Sequence, residues 1–225
     1  MKFAVLVVGN EILSGEISES NAAYISKRIT MLGHRVERVV VVPDRIEDIA
    51  EELRRLVRFD FVFVTGGLGA THDDVTAEGI ALALDRKLIH NEEVERMVRK
   101  WTNRTEVVNK IAKVPAGAEI VENSSGVAPA FIVENVAAMP GVPVEMRDTF
   151  EKIVRRFVRE DFHVDYLRID GYEENIVSIL HRVVERYPDV EIGSYPKPGY
   201  VLVKFSGRDT SRVESAKRFL EGMLK

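Results

Sequence analysis

The sequence predicts an α/β protein: a mostly parallel sheet crossed by helices over residues 1–160, then a small α+β subdomain over residues 161–225. Three observations carry this reading. As far as Leu84, apolar runs of strand length alternate with segments of helical period, the pattern of a parallel sheet with right-handed crossovers. After Asp161 the order becomes strand, helix, strand, strand, helix, the size of a small satellite domain. At 225 residues the chain has room for one large domain or two small ones, and its core needs no covalent staple.

Phe3–Val8 is a continuous apolar run and reads as a buried strand. Ala22, Ile25, Ile29 and Leu32 recur at helical spacing, giving a helix from Ser20 to Leu32 that Gly33 ends. Val36–Val42 is a β-branched strand closed by Pro43. Asp44 with Glu47 forms a capping-box pattern ahead of a helix that buries Ile46, Ile49, Ala50, Leu53 and Leu56. Phe61–Thr65 is the third strand, and Ala77, Ile80, Ala81 and Leu84 mark the next helix. A helix over Glu92–Lys100 precedes a stretch with no clear period. Phe131–Val133 and Val136–Met139 flank Glu134-Asn135 as a tight hairpin. A long helix over Val142–Arg159 buries Met146, Phe150, Ile153, Val154 and Phe157. Then come a strand at Tyr166–Ile169 and a helix burying Ile176, Leu180, Val183, Val184 and Tyr187. Strands at Val190–Tyr195 and Tyr200–Phe205 follow, and a last helix carries Val213, Ala216, Leu220 and Met223.

Composition excludes several classes. There is no Cys, so disulfides, thiolate nucleophiles and Cys-ligated metal sites are out. A net charge of −4 argues against general nucleic-acid binding while leaving room for a local anion site. No apolar run reaches membrane-spanning length, and Met1-Lys2-Phe3 opens directly into a strand, so a cytoplasmic protein without membrane contact is expected. Gln is absent while Glu, Lys and Arg abound, a composition that fits a thermophile.

Three segments follow strands at the end where open α/β sheets bind ligands. In the first, Gly66, Gly67 and Gly69 flank Leu68, and Thr71, Asp73 and Asp74 follow before a helix begins. Glycines let the backbone approach a ligand, and the helix N-terminus adds partial positive charge, so phosphate is the natural guest. Asp73 and Asp74 beside a phosphate call for a divalent cation, or an Asp orients a water; the same residues also suit a tight turn with a capping Asp. The second segment, Gly9, Asn10, Glu11 and Ser14, has neither the dinucleotide nor the P-loop glycine spacing; it suits polar ligand contacts or a plain loop. In the third, Pro140, Gly141, Val142 and Pro143 start a helix whose open N–H groups can hold a second anion, although simple helix initiation explains them too. Asp44 is explained as a helix cap, and it also falls near these loops. His34, His90 and His181 read as surface or boundary residues, and His72, inside the glycine segment, faces either ligand or solvent.

Taken together, these segments resemble the molybdopterin-binding-like fold of the MogA/MoaB proteins, and more closely the N-terminal domain of CinA. Gly9-Asn10-Glu11, Ser14-Gly15-Glu16, Asn21, Thr65 to Gly69 and Asp73 to Thr76 carry the first signatures. Pro115 to Ala118, Gly126 to Pro129, Pro140 to Met146 and Tyr195 to Gly199 carry the later ones. The resemblance implies three layers and a metal-dependent pyrophosphatase using Mg, Mn or Co. Its substrate would be a nucleotide diphosphate, foremost ADP-ribose, split to AMP and ribose 5-phosphate. By that analogy Asp44 and Asp74 are catalytic, and Asp73 and Asp74 hold the metal. Molybdopterin binding and adenylylation, or a nucleotide-binding regulatory module without catalysis, are the alternatives. Relatives imply a homodimer or larger assembly. The deamidase domain of full-length CinA is not expected in this chain. Ala70, Ile111 and Ala130 depart from the family pattern, and the last two bear on the substrate pocket.

Overall fold

A computed structural model describes residues 1–158 and 160–224. The chain divides into two compact units. The larger comprises Met1–Thr30 and His34–Val158; the smaller comprises Met31–Gly33 with the residues beyond 159.

The larger unit is built on a six-stranded sheet. In chain order its strands are β1 (Lys2–Val8), β2 (Arg35–Val42), β3 (Phe61–Thr65), β6 (Glu119–Val121), β7 (Ala130–Val133) and β8 (Val136–Met139). A separate two-stranded ribbon pairs β4 (Leu88–His90) with β5 (Lys113–Pro115). The sheet order is β2-β1-β3-β8-β7-β6. β2, β1, β3 and β8 run parallel, while β7 and β6 are antiparallel additions at one edge. The helices are α1 (Asn10–Leu13), α2 (Asn21–Met31), α3 (Ile46–Leu56), α4 (Thr76–Ala83), α5 (Glu92–Arg99), α6 (Thr105–Ile111) and α7 (Pro143–Ile153).

Strand alternation explains the three layers. Ala4, Leu6 and Val8 of β1 and Val62 and Val64 of β3 pack with Ile49, Leu53, Leu56, Ile80, Val94 and Val108 from α3 to α6. The intervening Phe3 and Phe63 face the other way, where Phe63 meets Phe150 of α7 edge-on at 5.1 Å. On that side Arg28 of α2 donates two hydrogen bonds to Glu151 of α7 (2.6 and 2.8 Å), and Tyr24 donates a third at 2.8 Å. This half-buried triad fixes α2 beside α7.

Several expectations change in detail. α7 ends at Ile153 and tightens into a 3-10 turn, Val154–Arg156. Phe157 lies beyond it, edge-on to Phe3 at 4.9 Å and Phe61 at 5.0 Å. The expected helix end at Arg159 lies outside the described residues. α6, β5 and β6, all of seven residues or fewer, occupy the region without clear period; elements that short carry no repeat to read. His34 is buried, with Nε2 2.9 Å from the Val158 carbonyl oxygen, rather than at the surface.

The smaller unit is the βαββα unit expected. β9 (His163–Asp170), β10 (Glu191–Lys197) and β11 (Tyr200–Gly207) form an antiparallel sheet in the order β10-β11-β9. Helices α8 (Val177–Arg186) and α9 (Thr210–Met223) supply Leu180, Val183, Val213, Ala216 and Leu220 to its core. Val184, expected in that core, is 48% exposed.

Candidate functional site

The three strand-end segments meet at one cavity of about 620 Å³ in the larger unit. Glu11, Asp44, Gly66 to Thr71, Asp73, Asp74 and Pro140 to Pro143 all line it. Gly9, Asn10 and Ser14 stand behind this wall. The Gly9 N–H donates to the Val42 carbonyl at 3.1 Å, and the Ser14 hydroxyl donates to the Glu11 carbonyl at 3.2 Å. The second segment is not a plain loop: its residues Asn10–Leu13 form α1.

The glycine turn is closed by backbone and threonine bonds. The Gly66 N–H donates to the Met139 carbonyl at 3.2 Å, and the Thr76 hydroxyl donates back to the Gly66 carbonyl at 2.8 Å. Gly66 has φ +105° and lies so close to β1 that a Cβ would overlap the Val8 carbonyl oxygen; only glycine meets both demands. Asp74 braces the turn from within. One carboxylate oxygen accepts the Gly69 N–H at 2.8 Å, the other the Thr71 N–H at 2.8 Å. The Thr71 hydroxyl is in hydrogen-bond contact with both Asp73 and Asp74. His72 resolves toward solvent, with its side chain 98% exposed.

Asp44 does not cap α3. The cap position is Arg45, no side-chain cap bond forms, and the Asp44 carboxylate accepts the Asn10 N–H at 2.7 Å. The helix start shifted by one residue, which frees this carboxylate for the cavity wall. Burial pushes its carboxyl above the ordinary range, against the Asn10 bond, and the charges of Glu11, Asp73 and Asp74 push the same way. Asp73 is held below the ordinary range, chiefly by its bond from Thr71. Asp44→Asn should therefore raise stability at neutral pH, by no more than about 1 kcal/mol given solvent screening. The raised carboxyl makes the wild type recover stability as pH falls through the folded pKa. The advantage of the variant should accordingly fade toward the usual Asp range near about 3.9. Parallel denaturation curves at neutral and acid pH test this; an advantage independent of pH would contradict it.

Asn21, the first residue of α2, ties the segments together. Its Nδ2 donates to the Thr65 hydroxyl at 3.1 Å and to the Gly141 carbonyl at 2.7 Å, while its buried Oδ1 has no partner among the described residues. In sequence an Asn heading a helix reads as an ordinary cap, so this linking role is visible only in the fold.

The electrostatics are two-sided. Glu11, Glu19, Asp44, Asp73, Asp74 and Glu145 line the cavity, and among the described residues no Lys or Arg does. Opposing them, α7 begins at the cavity with no side-chain cap bond. Its first-turn N–H groups and helix dipole offer an anion positive potential in the wall. Among the described residues no three His, Cys, Asp or Glu side chains converge closely enough to hold a metal alone. Mg²⁺ commonly uses one or two carboxylates and completes its shell with substrate phosphates and water, and this donor set suits that mode.

Fold and site together define a three-layer α/β protein with one cavity at the ends of its parallel strands. Residues 4–160 match the family described as a probable molybdopterin binding domain, and residues 161–225 match the middle domain of FAD synthase. A protein of Archaeoglobus fulgidus is 55% identical over 225 residues, covering 100% of this chain and 98% of that one. A protein of Metallosphaera sedula is 33% identical over 98% of this chain and 92% of its own. The crystal structure of CinA from Thermoplasma acidophilum, described as of unknown function, superposes with a TM-score of 0.68 at 35% identity. It covers 70% of this chain and 99% of that chain. The chain belongs to the molybdopterin-binding, MogA/MoaB-like domain family, with a CinA protein as a structural neighbour.

This membership corrects one expectation. The ADP-ribose pyrophosphatase implied by the resemblance does not stand, because the matched family is described as a probable molybdopterin binding domain and the CinA neighbour, of unknown function, brings no activity with it. Among the described residues no helix is long and apolar enough to cross a membrane.

Proposed function

We propose that the cavity binds molybdopterin and that the chain adenylylates it. The observation that carries this reading is the division of one cavity into three chemistries. The uncapped N-terminus of α7 and the glycine turn suit phosphates. The carboxylates of Glu11, Asp44 and Asp73 in the wall suit a cation that completes its shell with phosphates and water, and the aliphatic side chains of Val107, Ile111 and Val127 suit a ring.

In the reaction, a phosphate oxygen of the pterin attacks the α-phosphorus of ATP, and diphosphate leaves with the bonding electron pair. Main-chain amides of Gly67 and Leu68 in the glycine turn and of Val144 and Glu145 in the first turn of α7 orient the two phosphates. Asn21 holds those two turns in register. Asp44 and Asp73, with Asp74 beside them, would hold a divalent cation such as Mg²⁺, Mn²⁺ or Co²⁺, which neutralises the charge brought together by carboxylates and phosphates. Such chemistry is positioning and charge stabilisation, so no covalent nucleophile is needed.

The test is to incubate purified protein with molybdopterin, ATP and Mg²⁺ and to analyse the pterin by mass. Adenylylated pterin is the expected product. Failure of the protein to retain molybdopterin at all would overturn the proposal.

A further inference from the structure

One face of the cavity is chemically unlike the rest. Val107, Ile111, Val127 and Ala128 line it from α6 and the segment before β7, and they belong to or pack on one continuous apolar cluster. The carboxylate of Glu145, on α7, lines the same cavity and is tied to this surface through Asn123. Asn123 fixes it: one Nδ2 donates to Glu145 Oε2 at 2.7 Å and to the Ala128 carbonyl at 2.9 Å. Gly126 lies against the carboxylate so closely that a Cβ there would overlap it. Burial pushes the Glu145 carboxyl above the ordinary range, only partly offset by Asn123.

A half-buried carboxylate with one neutral donor wants more donors. Oε1 accepts no hydrogen bond among the described residues, and no Lys or Arg among them lines the cavity. A ligand can supply the missing donors in place of water. A planar ring lying on the aliphatic surface presents its edge to Glu145. Two adjacent N–H groups on that edge give the carboxylate a paired, charge-assisted contact. The 2-amino-4-oxo-pyrimidine edge of a pterin has this pair, in its 2-amino group and N3–H. The amino edge of adenine offers one donor beside a ring-nitrogen lone pair, which a carboxylate repels.

We propose that Glu145 is the specificity-determining residue of the site, selecting a pterin through its 2-amino and N3–H edge. This deepens the pterin-binding reading above and rests on it. The position was legible only as part of the Pro140 to Met146 motif, and the ring-edge role emerges from the side chains around it.

The experiment compares two probes on the full chain by fluorescence titration: 6-hydroxymethylpterin monophosphate and its lumazine analogue, which carries a 2-oxo in place of the 2-amino group. The wild type should prefer the pterin by about 10- to 100-fold, the range of a charge-assisted hydrogen bond gained or lost. Glu145→Gln, which replaces one acceptor by a donor, should bring the two affinities to within a few-fold (on the order of RT). Gly126→Ala, a change at an unstrained backbone position that displaces only the carboxylate end, should do the same if Glu145→Gln folds poorly. Equal wild-type affinities, or a preference that survives both variants, would overturn the role of Glu145 while leaving pterin binding intact. No binding of either probe to the wild type would overturn the pterin reading and this inference with it.

Discussion

Gly66→Ala is expected to be the most damaging single change at the site. The residue holds φ +105°, and its absent side chain leaves room for the Val8 carbonyl of the adjacent strand. An alanine there carries backbone strain of about 1–3 kcal/mol and an overlap with main chain that costs about 1–3 kcal/mol more. The neighbour is an interior strand of the sheet, β1 paired to both β2 and β3, so relief by local movement is poor. For a unit of this size, about 2–4 °C is lost per kcal/mol, and Tm should fall by about 5–15 °C. Phosphate-ligand binding should fall as well, because the Gly66 carbonyl anchors Thr76 and so the start of α4. Thermal unfolding followed by circular dichroism measures the first effect. A Tm within a degree or two of wild type (well under about 1 kcal/mol) would show that the turn is softer than its geometry states.

The second large effect is expected at Asp74. Its two carboxylate oxygens each accept a separate main-chain N–H, from Gly69 and from Thr71. Asp74→Asn keeps the shape but converts one acceptor into a donor facing an N–H. That orphaned pair costs about 1–3 kcal/mol and leaves the charge near Asp44 reduced. Folding should survive, since the bonds lie in a loop at the cavity rim, and modest loss of Tm should accompany a much larger loss of ligand binding, about tenfold or more. Asp74→Ala should be worse than Asp74→Asn, having no acceptor left. Titration with molybdopterin or ATP and Mg²⁺ separates the two consequences. Loss of binding without any loss of stability would argue that Asp74 contacts ligand or cation directly and does not brace the turn.

The opposed demands on the cavity explain its polar design. Carboxylates at Glu11, Asp44 and Asp73 raise the electrostatic energy of the empty protein, as the upward shift at Asp44 records. On the proposed reading a bound cation offsets this cost, so Asp44→Asn is expected to stabilise the empty protein while weakening any cation-dependent step. The aliphatic side is the reverse: Ile111 and Ala128 complete the core cluster and at the same time offer ligand a surface. Ile111, one of the departures from the family pattern, lies in the wall of the cavity.

The parallel core was legible because each of its elements is self-consistent. Phe61–Thr65 is bounded as expected, and α2 begins and ends within one residue of its periodic stripe, since buried strands and amphipathic helices write their burial into the order of residues. The strand-end segments were legible for the same reason, because glycines and paired Asp residues between a strand and a helix have few structural uses. What the sequence could not decide was which atoms those residues turn toward one another. Asp44 as cap or cavity wall, His72 toward ligand or solvent, and His34 inside or outside each depend on a partner distant in the chain: Asn10 for Asp44, Val158 for His34. The short elements from β4 to β6 likewise exist only through pairing. Glu145 shows the limit most clearly. Periodicity places it in the first turn of a helix, but its isolation from cations and its fixing by Asn123 come from segments 22 residues apart. Local patterns of burial and backbone freedom are carried by neighbouring residues and so by the sequence itself, whereas desolvation and hydrogen-bond pairing arise from what folding brings near, and those set the chemistry of the site.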